Sequence, residues 1–167
     1  RVSIAARVWR LLGSDTADVA DHEWTHLPDP EFVPAVPFAQ RWSGGFIASL
    51  EGRQADDARP GYARSWIRSP YPLVDGEVDP PTAALVKLVD TANGLAVRVD
   101  PATTFFPNVD LTIHLTRTPE PGWVGFETRV AFGPTGIGET ASVLSDATGP
   151  LGTAAQSLTV RVGQGAK

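Results

Sequence analysis

Residues 22 to 26 read His22-Glu23-Trp24-Thr25-His26, an H-E-x-x-H pattern. On a helix this spacing puts both imidazoles on one face to bind zinc, with the glutamate activating a water. Pro28, Pro30, Pro34 and Pro37 follow at once, and nothing brings Glu51, the one nominal third ligand, close to the pair. The expectation is therefore a connector with no bound metal. Gly136-Ile137-Gly138-Glu139-Thr140-Ala141 imitates a dinucleotide fingerprint, but the acidic residue expected about 20 positions on is missing and no strand-helix-strand unit surrounds it. Hairpin glycines account for it. There is no Gly-x-Ser-x-Gly elbow, so His22, His26 and His114 have no serine nucleophile to serve. With no cysteine, thiolate chemistry, disulfides and Cys-based zinc sites are removed as well.

Composition sets the frame for any remaining chemistry. The 167 residues are 42% hydrophobic and 20% charged, values of an ordinary globular domain with a core of its own. A net charge of -5 without a Lys/Arg cluster lacks the electrostatic footprint of a nucleic-acid or anionic-membrane binder. No apolar run approaches the roughly 20 residues that span a bilayer, and no signal-peptide layout opens the chain, which leaves the cytoplasm as the default location. The chain begins at Arg1 in mid-pattern and contains no methionine, so the expectation is that something precedes it in the full protein.

The elements follow from periodicity and punctuation. Val2 to Leu12 alternates as a strand, and Ser14 or Asp15 could cap a short helix reaching about His26. Prolines then make residues 13–37 a connector. Phe38 to Leu50 reads as a strand broken at Gly44-Gly45, and Tyr62 to Val74 as the next strand. Pro80 and Pro81 open one long helix, on which Leu85, Leu88, Val89, Ala92, Leu95 and Ala96 recur at helical spacing. Four β-type runs follow, Val109 to Arg117, Trp123 to Phe132, Ile137 to Leu144 and Leu151 to Val162. Pro121-Gly122, Gly133-Pro134 and Asp146 to Gly149 punctuate them as hairpins. The order predicts an α+β fold in which a curled antiparallel sheet covers a single apolar helix.

Four segments in this order resemble the double-hotdog acyl-CoA thioesterases: Leu85-Val86-Lys87-Leu88-Val89-Asp90, Asn108 to Arg117, Gly122-Trp123-Val124, and Asp146 to Arg161. The resemblance implies a hotdog fold over residues 38–163, with a tail at 164–167. It makes residues 1–12 the last strand of a preceding hotdog, so that the chain is half of a double hotdog. The partner is then a second hotdog domain, an N-terminal half or another subunit of an oligomer. The implied activity is hydrolysis of acyl-CoA thioesters, with coenzyme A entering as part of the substrate and no cofactor. A non-catalytic acyl-binding or assembly hotdog is the alternative. A hydratase is the lesser one, because Leu95 stands where that branch carries histidine.

By position, the family's water-holding group falls on Asp90, Asn108 and Gln156. Asp90 would serve as general base or water orienter, Gln156 would hold water or carbonyl through its amide, and Asn108 would complete the group where the family carries a hydroxyl. The residues by themselves suggest less. Asp90 lies off the apolar stripe as a solvated carboxylate, and Gln156 in Ala155-Gln156-Ser157 reads as an outward polar residue of ordinary alternation. Asp110 reads as a turn or capping carboxylate. Arg117 and Arg161 end strands, within conceivable reach of a phosphate of coenzyme A.

Overall fold

The computed structural model describes residues 3–11 and 13–163. Its main sheet has six strands: β1 (Glu51–Gln54), β2 (Tyr62–Arg68), β4 (Thr112–Leu115), β5 (Val124–Phe132), β6 (Ile137–Asp146) and β7 (Gly149–Thr159). They run in the order β1-β2-β5-β6-β7-β4, and every pair is antiparallel. β3 (Thr104–Phe105) and β8 (Arg161–Val162) form a separate two-stranded pair. Alternation along the strands sends Val124, Phe126, Thr128 and Val130 of β5, and Thr140, Ser142 and Leu144 of β6, to the buried face.

The helical segment packs on that face. Helix α2 (Pro81–Val89) and the single turn α3 (Ala92–Leu95) place Leu85, Leu88, Val89, Ala92 and Leu95 against Ile67, Phe126, Leu144, Leu151 and Ala154. Each of the larger side chains contributes about 1.5–3 kcal/mol by leaving water, so the helix and sheet each supply part of one core. The single long helix expected from the sequence is thus two segments. Between them Thr91 bonds back to Leu88 O through both its N–H, at 3.1 Å, and its hydroxyl, at 2.7 Å. That tightening interrupts the regular ladder at Asp90.

Several other expectations give way to the structure. Phe38 to Leu50 is not a strand: it forms a 3-10 turn (Phe38–Gln40) and the one-turn helix α1 (Gly45–Ala48). Gly44, at φ 126°, turns the chain into α1. The spacing Phe38, Trp42, Phe46, Ile47, Leu50 is helical, and the glycine pair hid it. Tyr62 to Val74 holds as a strand only to Arg68, because Pro70 and Pro72 cannot donate to a ladder. A 3-10 turn at Ala17–Val19 is all that forms of the helix expected through His26. Of the Val2 to Leu12 strand, Val2 and Leu12 lie outside the described residues, as does the tail at 164–167. Residues 3–11 carry no strand and are exposed, since alternation makes a strand only where a neighbouring edge takes up the backbone hydrogen bonds.

The connector crosses the sheet's other face. Trp66 Nε1 donates to Pro28 O at 2.8 Å, and Val33, Ala55 and Trp66 form a small buried cluster with Leu27 and Trp123 against it. Gly125, the cross-strand partner of Trp66, leaves the room: a Cβ there would stand 2.6 Å from Leu27 and from the indole.

Of the three hairpins expected, Gly133-Pro134 joins β5 to β6 and Asp146 to Gly149 joins β6 to β7. Pro121-Gly122 does not make one, because β4 pairs with β7 at the sheet edge while β5 lies inside. The crossing is anchored on Asp146, which is 2% exposed. Arg117 grips it with Nη1 at 2.6 Å and Nη2 at 2.8 Å, and the Glu120 and Thr148 N–H groups and the Thr148 hydroxyl also donate to it. Burial alone would raise the Asp146 pKa, but these donors, Arg117 first, outweigh it and hold the carboxyl well below the usual carboxylate range.

A depressed folded-state pKa means that the unfolded chain takes up the proton first. Stability from Asp146 is therefore full above an ordinary aspartate pKa and is lost as the pH falls from about 4 towards the folded value. Asp146→Asn should cost about 3 kcal/mol, because Arg117 keeps a charge without its partner. Thermal melts over this acid range should show the variant less stable at neutral pH and flatter in its pH dependence than the wild type.

Candidate active site

The kink in the helix decides where the chemistry-bearing groups meet. Asp90 is the C-terminal cap of α2 and exposed, with its carbonyl released from regular helical pairing. From β7, next to the sheet's edge strand, Gln156 reaches it: Nε2 donates to Asp90 O at 3.2 Å and to Asp90 Oδ1 at 3.1 Å. Asn108 Nδ2 donates to the same Oδ1 at 2.7 Å. Asp90, Asn108 and Gln156 thus come together on one carboxylate oxygen although Asp90 and Gln156 are 66 positions apart. Among the described residues no group donates to Asp90 Oδ2.

Gln156 does not face outward as its alternation suggested. It is 2% exposed, on the inner face opposite Thr140, because the register of β7 against β6 places the even-numbered residues inside. Among the described residues its Oε1 and the Thr140 hydroxyl are buried without a protein partner. Asn108 is held beside it by an isolated bridge to Leu158. Asp110 is neither a turn nor a cap carboxylate but a tie between distant segments: Oδ1 accepts from Ser157 N at 2.6 Å and Oδ2 from the Ser157 hydroxyl at 3.1 Å, which pins the chain next to Gln156.

Asp90 and Asn108 line a cavity of about 480 Å³. Its apolar walls come largely from the segment misread as a strand, Phe38, Trp42, Phe46, Ile47 and Leu50, faced by Phe106. These are the functional candidates that the sequence reading missed, and their i, i+4, i+8 spacing was the signal for them. Lys87 also borders the cavity but is tied to Asp79 Oδ2 at 2.5 Å and Tyr71 O at 2.8 Å.

Other sequence candidates do not join this group. Residues 20–29 form no helix, so His22 and His26 lack the shared helical face that zinc ligation by their pattern requires. Among the described residues no group of three or more His, Asp or Glu is placed to hold a metal ion. Gly136 and Gly138 belong to the β5–β6 hairpin. Arg117 is spent on Asp146, Gly149 O and Pro150 O, which withdraws it from any phosphate. Arg161 is exposed in β8. No helix among the described residues is long and apolar enough to cross a membrane.

Comparison with known proteins gives this arrangement its setting. No curated protein matches the sequence. Among solved structures, a conserved protein with a hot dog fold from Alicyclobacillus acidocaldarius superposes with a TM-score of 0.65 at 16% identity, covering 90% of this chain and 59% of that one. The acyl-CoA thioesterase II TesB2 of Mycobacterium marinum gives a TM-score of 0.60 at 15% identity, covering 92% of this chain and 61% of its own. The tesB protein of Mycobacterium avium subspecies paratuberculosis gives 0.53 at 14%, with 86% and 57% covered. These likenesses show the hotdog fold, and this chain spans about three fifths of the length of each. The profile described as acyl-CoA thioesterase C-terminal domain matches residues 15–160, most of the chain. With its sheet curled about a kinked helix and this match over nearly its whole length, the chain belongs to the acyl-CoA thioesterase C-terminal domain family.

Proposed function

We propose that this chain is the C-terminal half of an enzyme that hydrolyses acyl-CoA thioesters. The observation that carries the reading is the convergence of two amides on one oxygen of Asp90, at the mouth of an apolar cavity. Asn108 and Gln156 fix the carboxylate's rotation, and Oδ2 is then the oxygen presented to a water. Asp90 takes a proton as that water attacks the thioester carbonyl carbon. The tetrahedral intermediate collapses, the carbon–sulfur bond breaks, and the proton passes from Asp90 to the departing sulfur, giving the free acid and coenzyme A. Water, a carboxylate and amides suffice for this chemistry, so no cofactor is required beyond the coenzyme A of the substrate. In this reading a second hotdog completes the site, supplied by an N-terminal half or another subunit, consistent with the length of the matched structures. The absence of cysteine and the coenzyme A substrate both fit the cytoplasm.

One observation favours a second reading, a non-catalytic acyl-binding hotdog. The Gln156 and Asn108 amide nitrogens donate to Asp90 and, for Asn108, to Asp110 O at 3.4 Å, so neither is directed at a developing oxyanion. Hydrolysis then needs its oxyanion donor from the partner hotdog or from rotation of an amide.

Thiol release from acyl-CoA, assayed with the partner half restored, separates the two. If Asp90 is the base, Asp90→Asn should lower turnover about a hundredfold or more with an unchanged thermal melt. Gln156→Ala should also lower turnover, and should cost about 1 kcal/mol of stability because Asp90 O loses its donor. Wild-type turnover in Asp90→Asn would rule out the base. Absence of thiol release from every acyl-CoA would leave the binding reading.

Asn108→Thr puts a hydroxyl where the resembling thioesterases carry one. It should preserve or raise turnover in the same assay, and a loss as deep as that of Asp90→Asn would contradict the role given to position 108.

A further inference from the structure

The cavity beside Asp90 has a direction. Its helix-side lining is Lys87, Asp90, Thr91, Asn93, Gly94 and Leu95, so it runs lengthwise from the end of α2 along α3. Gly94 lies about one turn, roughly 5 Å, beyond Asp90. There Trp42 closes onto the helix: Nε1 donates to Gly94 O at 3.0 Å, and its ring meets Phe106 edge-on with centroids 6.1 Å apart. Gly94 permits the approach, since a Cβ would stand only 3.1 Å from that nitrogen. Swinging the indole aside would leave both its N–H and Gly94 O without their partner, so the wall is fixed.

We propose that Trp42 is the specificity-determining residue for the length of the acyl group. The inference rests on the acyl-thioester reading above. A thioester carbonyl at Asp90 sends its chain along the helix face into the cavity, and the indole stops it. Each methylene that enters gains about fourfold in affinity by leaving water. Carbons beyond the wall stay in solvent or force the packing apart, and gain nothing.

The test uses hydrolysis-resistant acyl-CoA thioethers of increasing chain length, with binding to the protein with its partner half restored measured by calorimetry. Wild type should gain about fourfold per methylene up to a plateau. Trp42→Ala should move the plateau to longer chains and bind the longest ones about tenfold or more tightly than wild type. Ser43→Phe adds bulk to the same cavity from an exposed position, and should move the plateau to shorter chains. If Trp42→Ala does not fold by circular dichroism, Trp42→Phe and Ser43→Phe decide. A plateau at one length in all variants, or no dependence on chain length, overturns the inference. Thiol release is read separately on the same proteins. A plateau that moves without hydrolysis removes the hydrolytic reading and keeps the role of Trp42, whereas hydrolysis with an unmoved plateau does the reverse.

Discussion

Backbone carbonyls at a helix end must find donors, and here side chains from other elements supply them. Gln156 from the sheet takes Asp90 O, Trp42 takes Gly94 O, and Gln54 Nε2 from β1 takes Leu95 O at 3.1 Å. A helix-end carbonyl buried without a partner costs about 1–3 kcal/mol. The bonds that prevent this also fix the kinked helix over the sheet, bring the Phe38 to Leu50 segment down as a cavity wall, and aim the Asp90 carboxylate. Position and chemistry are set by the same contacts.

Two aspartates show how surroundings divide the work. Asp146 is buried, accepts from Arg117, Glu120 and Thr148, and holds the β4-to-β5 crossing against the β6–β7 turn. A carboxylate so fully engaged is a structural tie. Asp90 is exposed, has two amides on one oxygen, and presents the other beside an apolar cavity. That asymmetry is what makes it, rather than Asp146, the candidate base. Perturbation by itself marks an interaction, and only the free oxygen and the neighbouring space mark a site.

The Phe38 to Leu50 segment connects the fold to the cavity. Helical spacing of its apolar residues lets it fold back along α2 and α3, which an extended strand could not do, and so it encloses a cavity instead of lengthening the sheet. The proline-rich connector does a different job on the opposite face, covering Trp66 and Gly125. The sheet is thereby covered on both sides in this region, apolar helix within and strap without.

By itself the sequence determined what depends on near neighbours. The apolar stripe from Leu85 to Leu95, the β5, β6 and β7 runs, and the turns at Gly133-Pro134 and Asp146 to Gly149 are legible because periodicity, proline and glycine act over a few residues. Tertiary structure alone decided what depends on distant partners. Gln156 reads as a surface residue in Ala155-Gln156-Ser157, since a strand pattern does not say which alternate set faces inward, and a shift of one residue would reverse it. Only pairing with Thr140 buries it. Asp90 looks like any solvated helix carboxylate until Asn108, 18 positions on, and Gln156, 66 positions on, close around one of its oxygens. Residues 3–11 show the converse, an alternating run with no edge to join among the described residues, because alternation becomes a strand only when another backbone completes its hydrogen bonds.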